Sequence, residues 1–233
     1  MQRNDLAEPR LDLSAPRTDG RRASLRDRAY EAIKRKILSC ELRPGEAVTV
    51  AGLAEALDLG RTPVIQAIDR LTVEGLVEVM PRKGVVVSPV SLDAFVEIVE
   101  VRLLNEAQAA RWASRNARPE DVRDLSANVD AAWAAARRRD IDELIALDRD
   151  FHRIVTRAAG NAVLADILAT LHDRAIRFWF ISLRVPEHEL RVCEQHAAIV
   201  DAVAKADPDA AERAMRDHIS AFHANVTAHL FRT

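Results

Sequence analysis

Glycine is scarce in this chain, with 7 among 233 residues. Glycines so few and so thinly spread argue against nucleotide-binding loops and against a large sheet. Cysteine is scarcer still. Cys40 and Cys193 lie far apart with no C-x-x-C spacing, which indicates neither a disulfide framework nor a cysteine zinc knot and leaves two free thiols. No apolar run approaches the roughly 18 to 20 residues that span a bilayer. The N-terminus carries scattered charges where a secretory leader needs an apolar stretch, so the chain is expected to make no membrane contact and to stay in the cytoplasm. A G-x-S-x-G elbow and a Cys/His pair of protease type are also missing.

What is present favours helices. Hydrophobic residues make up 48% and charged residues 30%, a soluble, globular balance with chain enough for one large domain or two small ones. Abundant Ala, Leu, Arg and Glu make the expected class mainly α. Charge and histidine then divide the chain. Lys and Arg exceed Asp and Glu by two up to residue 90 and fall four short beyond it, and all seven histidines lie at or after His152. The expected plan is a flexible tail over residues 1–23, a first domain over 24–88 and a second over 89–233.

From Ser24, the spacing of Leu25, Ala29, Ile33 and Ile37 predicts a helix, which Arg43-Pro44-Gly45 stops. A second helix runs from Val50 to Leu57. After the turn Asp58-Leu59-Gly60, a third runs from about Thr62 to Glu74, with Thr62 as its N-cap and Pro63 at its first position. Two short β-branched strands follow, Leu76 to Met80 and Val85 to Pro89, around the turn Pro81-Arg82-Lys83-Gly84. Helix, turn, helix and basic hairpin in that order outline a winged helix-turn-helix. Arg61 stands where the recognition helix enters the major groove, Arg82 and Lys83 can neutralise phosphates, and Gly84 permits close backbone approach.

This stretch resembles the winged helix-turn-helix of GntR-type bacterial transcription regulators, carrying the patterns LRPGE, LAEALDLGRTPVIQAIDRLTVEGLV and RKGVVV. The resemblance implies a double-stranded DNA operator as partner, with Arg61, Thr62, Gln66, Arg82, Lys83 and Gly84 at or beside the DNA. The chain departs from the family at Gly60, where Ser or Thr is usual, and at Ile65-Gln66, where Arg-Glu is usual. An arginine missing at Ile65 removes one contact to guanine or phosphate, so the operator of a relative cannot be carried over. A single winged domain offers few contacts, so a homodimer on a pseudo-palindrome is expected.

The second domain reads as helices over about 92–115, 119–138, 141–158, 162–182, 187–206 and 209–231. They are separated by Arg118-Pro119, Asp140 with Glu143, Gly160-Asn161, Val185-Pro186 and Asp207-Pro208. Short loops make this an antiparallel bundle of six to seven helices.

Asp148 and His152 lie four apart, one above the other on a single helix face. His196 falls on a stripe with Val192, Ile199 and Val203, and His218 on one with Met215 and Phe222. Three imidazoles and a carboxylate converging in the interior suit a divalent transition metal, zinc first, with nickel, manganese or iron as alternatives. For each histidine alone, the alternative is a hydrogen-bonded core residue. His172, His188, His223 and His229 are expected outside the group, because they adjoin acids, sit in a turn, face away or lie too near the terminus. Arg102 falls on the inward stripe Phe95, Val99, Arg102, Glu106. There it either pairs with Glu106 or forks onto a ligand carboxylate.

Residues 92–229 resemble the FCD effector domain of the FadR subfamily, through VEVRLLNEAQAARWA, LDRDFHRIVTRAAGN and EQHAAIVDAVAKADPDAAERAMRDHI. The resemblance implies a metal held by Asp148, His152, His196 and His218. Beside it would sit a small organic-acid effector, attended by Arg102, Glu106 and Asn161. The expected function is a DNA-binding regulator controlled by such an effector. A regulator with the metal as its signal is the alternative. A metal-dependent hydrolase ranks below both, because no further acid or base stands at a defined spacing.

Overall fold

The computed structural model describes residues 24–81, 84–182 and 188–230. The tail expected over 1–23 and the wing residues Arg82 and Lys83 lie outside them. The first helix, α1, spans Leu25–Leu38 and is capped by Ser24, whose side chain accepts from the Asp27 N–H at 3.1 Å. It stops five residues before the expected Arg43-Pro44-Gly45. Cys40 adopts a left-handed φ of 55°, and the Leu42 N–H then closes onto the Lys36 carbonyl at 2.9 Å, a C-terminal wrap that ends the helix without proline.

β1 (Ala47–Val48), α2 (Val50–Ala56), α3 (Arg61–Val73), β2 (Val77–Met80) and β3 (Gly84–Val87) complete the first domain. The start of α3 differs from expectation, because Gly60 is the N-cap and Arg61 already helical. Thr62 is therefore inside the first turn with Pro63 behind it. Both positions tolerate proline, since the first N–H groups of a helix have no partner within it. β2 and β3 form the expected antiparallel hairpin, with Val77 opposite Val87 and Met80 opposite Gly84. β1 was not expected. Two residues carry no readable alternation, yet they pair with the far edge of β3 through Ala47 and Val86. At Gly84 φ is +82° and a Cβ would sit 3.1 Å from the Val48 carbonyl oxygen, so this turn requires glycine.

The second domain is a bundle of α4 (Leu92–Asn116), α5 (Pro119–Arg138), α6 (Ile141–Ala158), α7 (Ala162–Ser182), α8 (His188–Ala204) and α9 (Pro208–Leu230). Chain reversals at Arg139 and Ala206 use left-handed φ angles of 54° and 52°. Asp140 caps α6 by accepting from the Glu143 N–H at 3.1 Å. Phe95 stands at the centre, with Phe178 at 4.8 Å and Phe222 at 5.5 Å between ring centroids. Phe178 is buried, while Trp112 and Trp133 pack partly buried against the core.

The two domains meet along α7. Ile176 belongs to the apolar core of the winged domain, and Arg177 Nη1 donates to the Ser88 carbonyl at 2.6 Å. Lys34, buried on α1, places Nζ 2.5 Å from Asp173 Oδ2 and 2.8 Å from Glu74 Oε2. Burial works against its charge, but Asp173, Glu74 and Tyr30 hold its pKa above that of an ordinary lysine. Among the described residues, no helix is long and apolar enough to cross a membrane.

Phe95→Ala empties the middle of the bundle and is expected to cost about 3 to 5 kcal/mol, a loss of stability that urea denaturation measures. A cost below about 1 kcal/mol would show that Phe95 does not organise this core.

Candidate metal centre and DNA interface

α6, α8 and α9 bring four side chains to one point. Asp148 and His152 project from α6, His196 from α8 and His218 from α9, all buried. One donor atom of each lies within 4.8 Å of the others. His152 Nε2 is 3.3 Å from His218 Nε2, His196 Nε2 is 3.5 Å from Asp148 Oδ1, and His152 Nε2 is 4.0 Å from Asp148 Oδ1. Metal–ligand bonds of roughly 2.0 to 2.2 Å place neighbouring donors about 3 to 3.5 Å apart, so two of these separations match and the third needs a small contraction.

The outer nitrogens are held so that the inner ones face inward. His218 Nδ1 donates to Gln195 Oε1 at 3.0 Å, which fixes that imidazole with Nε2 toward the cluster. His152 Nδ1 lies 2.5 Å from Glu106 Oε2, a close contact that does not count as a hydrogen bond for either atom. Phe151 stacks on His196, the ring planes 4° apart with centroids at 3.8 Å. His196 Nε2 is buried without a hydrogen-bond partner. A buried, unpartnered imidazole nitrogen aimed at a carboxylate and two further imidazoles is the chemistry of a transition-metal ligand set.

Electrostatics favour the same reading. Burial lowers the pKa of His196 to about 3, against the opposing pull of Asp148. Burial and the neighbouring His196 hold His218 well below an ordinary histidine. Asp148 is resisted by its own burial, yet His172, His152 and His196 outweigh that and hold its carboxyl well below the usual range. His196 and His218 neutral beside an ionised carboxylate are the protonation states a metal requires of its ligands.

Three expectations need correction. His172 belongs with the cluster rather than outside it. It is buried, its Nε2 lies 3.3 Å from Asp148 Oδ2, and its ring centroid is 4.7 Å from that of His152. Its adjacency to Asp173 was misleading, because consecutive helical residues point about 100° apart; the stripe Leu168, His172, Ile176 was the informative signal. Asn161 is the reverse case. It is exposed, and its Oδ1 accepts from the Leu164 N–H at 3.1 Å as the cap of α7, so it serves the helix end and not the cluster. His223 is half-buried and stacks on Phe95 with ring centroids 5.7 Å apart, toward the core rather than away from it. His188 and His229 lie outside the described side chains.

Arg102 is buried beside the cluster and its Nε donates to Glu106 Oε1. Burial opposes ionisation of Glu106, but Arg102 and then His152 hold its carboxyl well below the usual range. The ion-pair alternative is thus present, and Glu106 ties Arg102 to His152. The cavity that Arg102 shares with Asp148, His152, His172 and His218 measures about 10 Å³, room for about one water. A second, of about 450 Å³, lies against Glu106, His152 and His172 between α6 and α7.

At the other end of the molecule, α3 buries Val64, Ala67, Ile68 and Leu71 and leaves Arg61, Thr62, Ile65 and Gln66 exposed. The exposed row begins at the helix N-terminus, which suits phosphate contact, and continues along the face that meets base edges in a major groove. Gly84 stands at the foot of the wing, while Arg82 and Lys83 lie outside the described residues.

A winged helix-turn-helix docked on an all-helical bundle defines a DNA-binding regulator of two domains. The comparisons place it. The family described as "FCD domain" matches residues 97–221, and "Bacterial regulatory proteins, gntR family" matches residues 25–87. The chain belongs to the GntR family and carries an FCD domain; it is a transcriptional regulator and not an enzyme. It is 28% identical to the HTH-type transcriptional repressor RspR of Escherichia coli (strain K12) over 193 residues, covering 82% of this chain and 83% of that one. It is also 28% identical to the HTH-type transcriptional repressor NanR of Enterobacter sp. (strain 638) over 236 residues, covering 90% and 87%. Among solved structures, E. coli McbR/YncC shares the fold with a TM-score of 0.82 at 20% identity, covering 90% of this chain and 100% of that one.

The depressed histidine pKa values fix a pH dependence. In the metal-free protein His196 stays neutral down to about pH 3, whereas the unfolded imidazole takes up its proton near 6.5. The unfolded state binds more protons across that window, so stability rises with pH through it and falls on acidification. The melting temperature of chelator-treated protein should therefore drop between pH 7 and pH 5, less steeply in His196→Phe. A melting temperature unchanged over that range would contradict a neutral, desolvated cluster.

Proposed function

We propose that this regulator is a homodimeric repressor whose hold on its operator is set by a small carboxylate or sugar acid bound beside a divalent transition metal, zinc first. The observation that carries this reading is the buried convergence of Asp148, His152, His196 and His218, with His196 Nε2 left unpartnered. Bound there, a divalent metal supplies a Lewis-acid centre able to take an anionic oxygen ligand. The chain's own residues do the remainder. Gln195 and Glu106 orient two of the imidazoles, and Arg102 brings a buried guanidinium with donors beyond the one Glu106 engages.

The names of RspR and NanR support repression. The homodimer is supported by unpartnered apolar side chains on the bundle surface. On α4, Leu104 is 66% exposed, and on α7 Val163 is 71% exposed. Two-fold pairing also doubles the contacts one small winged domain can make with DNA.

A second reading, the metal itself as the signal, is favoured by the tightness of the cavity at Arg102. One water fills that space, so a carboxylate needs either an opening there or access from the larger α6–α7 cavity. Operator release by metal alone selects this second reading. Release only when a carboxylate accompanies the metal selects the first.

Two substitutions test the assignment. Arg61→Ala should weaken operator binding by about 1 to 3 kcal/mol and relax base preference, measured by fluorescence anisotropy on operator variants. Unchanged affinity would displace α3 as the recognition helix. His196→Ala should abolish metal content by elemental analysis while the far-ultraviolet dichroism stays helical. Full metal occupancy in that variant would remove His196 from the site.

A further inference from the structure

α7 has two working faces. On one, His172 lies 3.3 Å from Asp148 Oδ2, and Ala175 lines the small cavity beside Arg102. On the other, Asp173 and Arg177 engage the winged domain through Lys34 and Ser88, while Ile176, between the two faces, touches both the small cavity and the apolar core of the winged domain. α6 repeats the arrangement. Asp148 faces the cluster, and the next residue, Arg149, turns outward with Nε 2.8 Å from Asp173 Oδ1 and Nη2 3.2 Å from Oδ2. Consecutive pairs therefore cross the α6–α7 seam: Asp148 with His172 on the sensing side, Arg149 with Asp173 on the docking side. Asp173 is also the residue that Lys34 reaches from α1.

We propose that His172 is a positioning residue of the metal centre, and that α7 with the Lys34–Asp173 pair is the lever joining occupancy of that centre to the seating of the DNA-binding domain. This rests on the metal reading above and deepens it. His172 Nε2 stands 3.3 Å from the outer oxygen of Asp148, while the inner oxygen lies 3.5 Å from His196 Nε2; neither histidine nitrogen has a hydrogen-bond partner, so His172 packs against the carboxylate and limits its rotation. A displacement of Asp148 moves His172, and with it Asp173, one residue along the same rigid helix. Lys34 has no slack to absorb that movement. Its Nζ is buried and bonded to Tyr30 Oη at 2.6 Å, to Glu74 and to Asp173. The winged domain must shift or the network must break, which makes the contact two-state rather than elastic.

Reciprocity supplies the test, because a coupling that carries metal occupancy to the winged domain must carry the winged domain's seating back to the metal. The probe is Zn²⁺, titrated by calorimetry into chelator-treated, full-length protein, with Ni²⁺ and Mn²⁺ alongside. Lys34→Met removes a cation and so, by direct charge effect, would tighten dication binding. The lever requires the opposite: Zn²⁺ affinity falls by about five-fold or more. Lys34→Arg restores it to within about two-fold, and Lys36→Met, at a half-buried lysine paired with Glu41 and not with Asp173, leaves it unaltered. Arg177→Met, which cuts the tie to Ser88, should weaken Zn²⁺ in the same way and serves if Lys34→Met does not fold. His172→Ala should weaken Zn²⁺ and remove the effect of the second substitution in the His172→Ala/Lys34→Met pair. Zn²⁺ binding in Lys34→Met and Arg177→Met as tight as in the wild type, or tighter, overturns the lever while the metal centre stands. A wild-type protein that takes up none of the three metals overturns the metal reading, and the lever with it.

Discussion

An ionised carboxylate buried beside neutral imidazoles is the constraint on which the bundle domain depends. Asp148 is held ionised inside the bundle, and the one guanidinium lining the same cavity, Arg102, is already matched by Glu106. An uncompensated charge in a helical core costs several kcal/mol unless hydrogen bonds, a partner or a metal meets it. His172 and His196 approach the two carboxylate oxygens at 3.3 and 3.5 Å, yet neither nitrogen has a hydrogen-bond partner, so the demand is left open. The packing around it follows. Phe151 stacks against His196, Gln195 steers His218 and Glu106 faces His152, so four helices, α4, α6, α8 and α9, meet around polar groups that have no better place to go. The proposed metal is the most economical answer to this arrangement.

The second constraint is that the core of the winged domain is completed by the bundle. That core is closed by Ile176 from α7, with Ile145 of α6 packed against it. A regulator needs its reading head attached firmly enough to be placed and loosely enough to be moved. Here the attachment combines two apolar contacts, Ile176 and Ile145, with two charged ones, Lys34 on Asp173 and Arg177 on Ser88. Such contacts resist small sliding but have discrete alternatives, which suits a switch better than a continuous hydrophobic seam would.

Much of this was legible in the sequence because its signals are local. The six bundle helices show the 3.6-residue period, with breaks at Pro119, Asp140, Gly160 and Asp207, and each boundary falls within two residues of the expected place. The convergence of Asp148, His152, His196 and His218 was readable because each lies on an inward stripe. What escaped had physical reasons. β1 is too short to alternate, and α1 ends on a left-handed cysteine for which no residue preference signals. Gly60 displaced Thr62 as the cap, because an extended glycine before Arg61 leaves the threonine inside the first turn. His172 was passed over because acidic neighbours in sequence were weighed above its place on the α7 stripe. Asn161 was given a ligand role by resemblance, although Gly160-Asn161 is a common way to begin a helix. The docking of α7 on the winged domain carries no sequence signature, since it depends on contacts between residues far apart in the chain, 89 positions for Arg177 and Ser88.

The central claim is that occupancy of the buried cluster changes the hold on DNA. It is tested most directly by one titration: operator affinity of the metal-stripped protein, of the protein with one equivalent of Zn²⁺, and of the Zn²⁺ protein with small carboxylates and sugar acids added in turn. The account predicts that at least one of these additions shifts operator affinity by about 5- to 150-fold, the range of a 1 to 3 kcal/mol coupling. Equal operator affinity in every state, with Zn²⁺ demonstrably bound, would contradict it and reduce the cluster to a structural core.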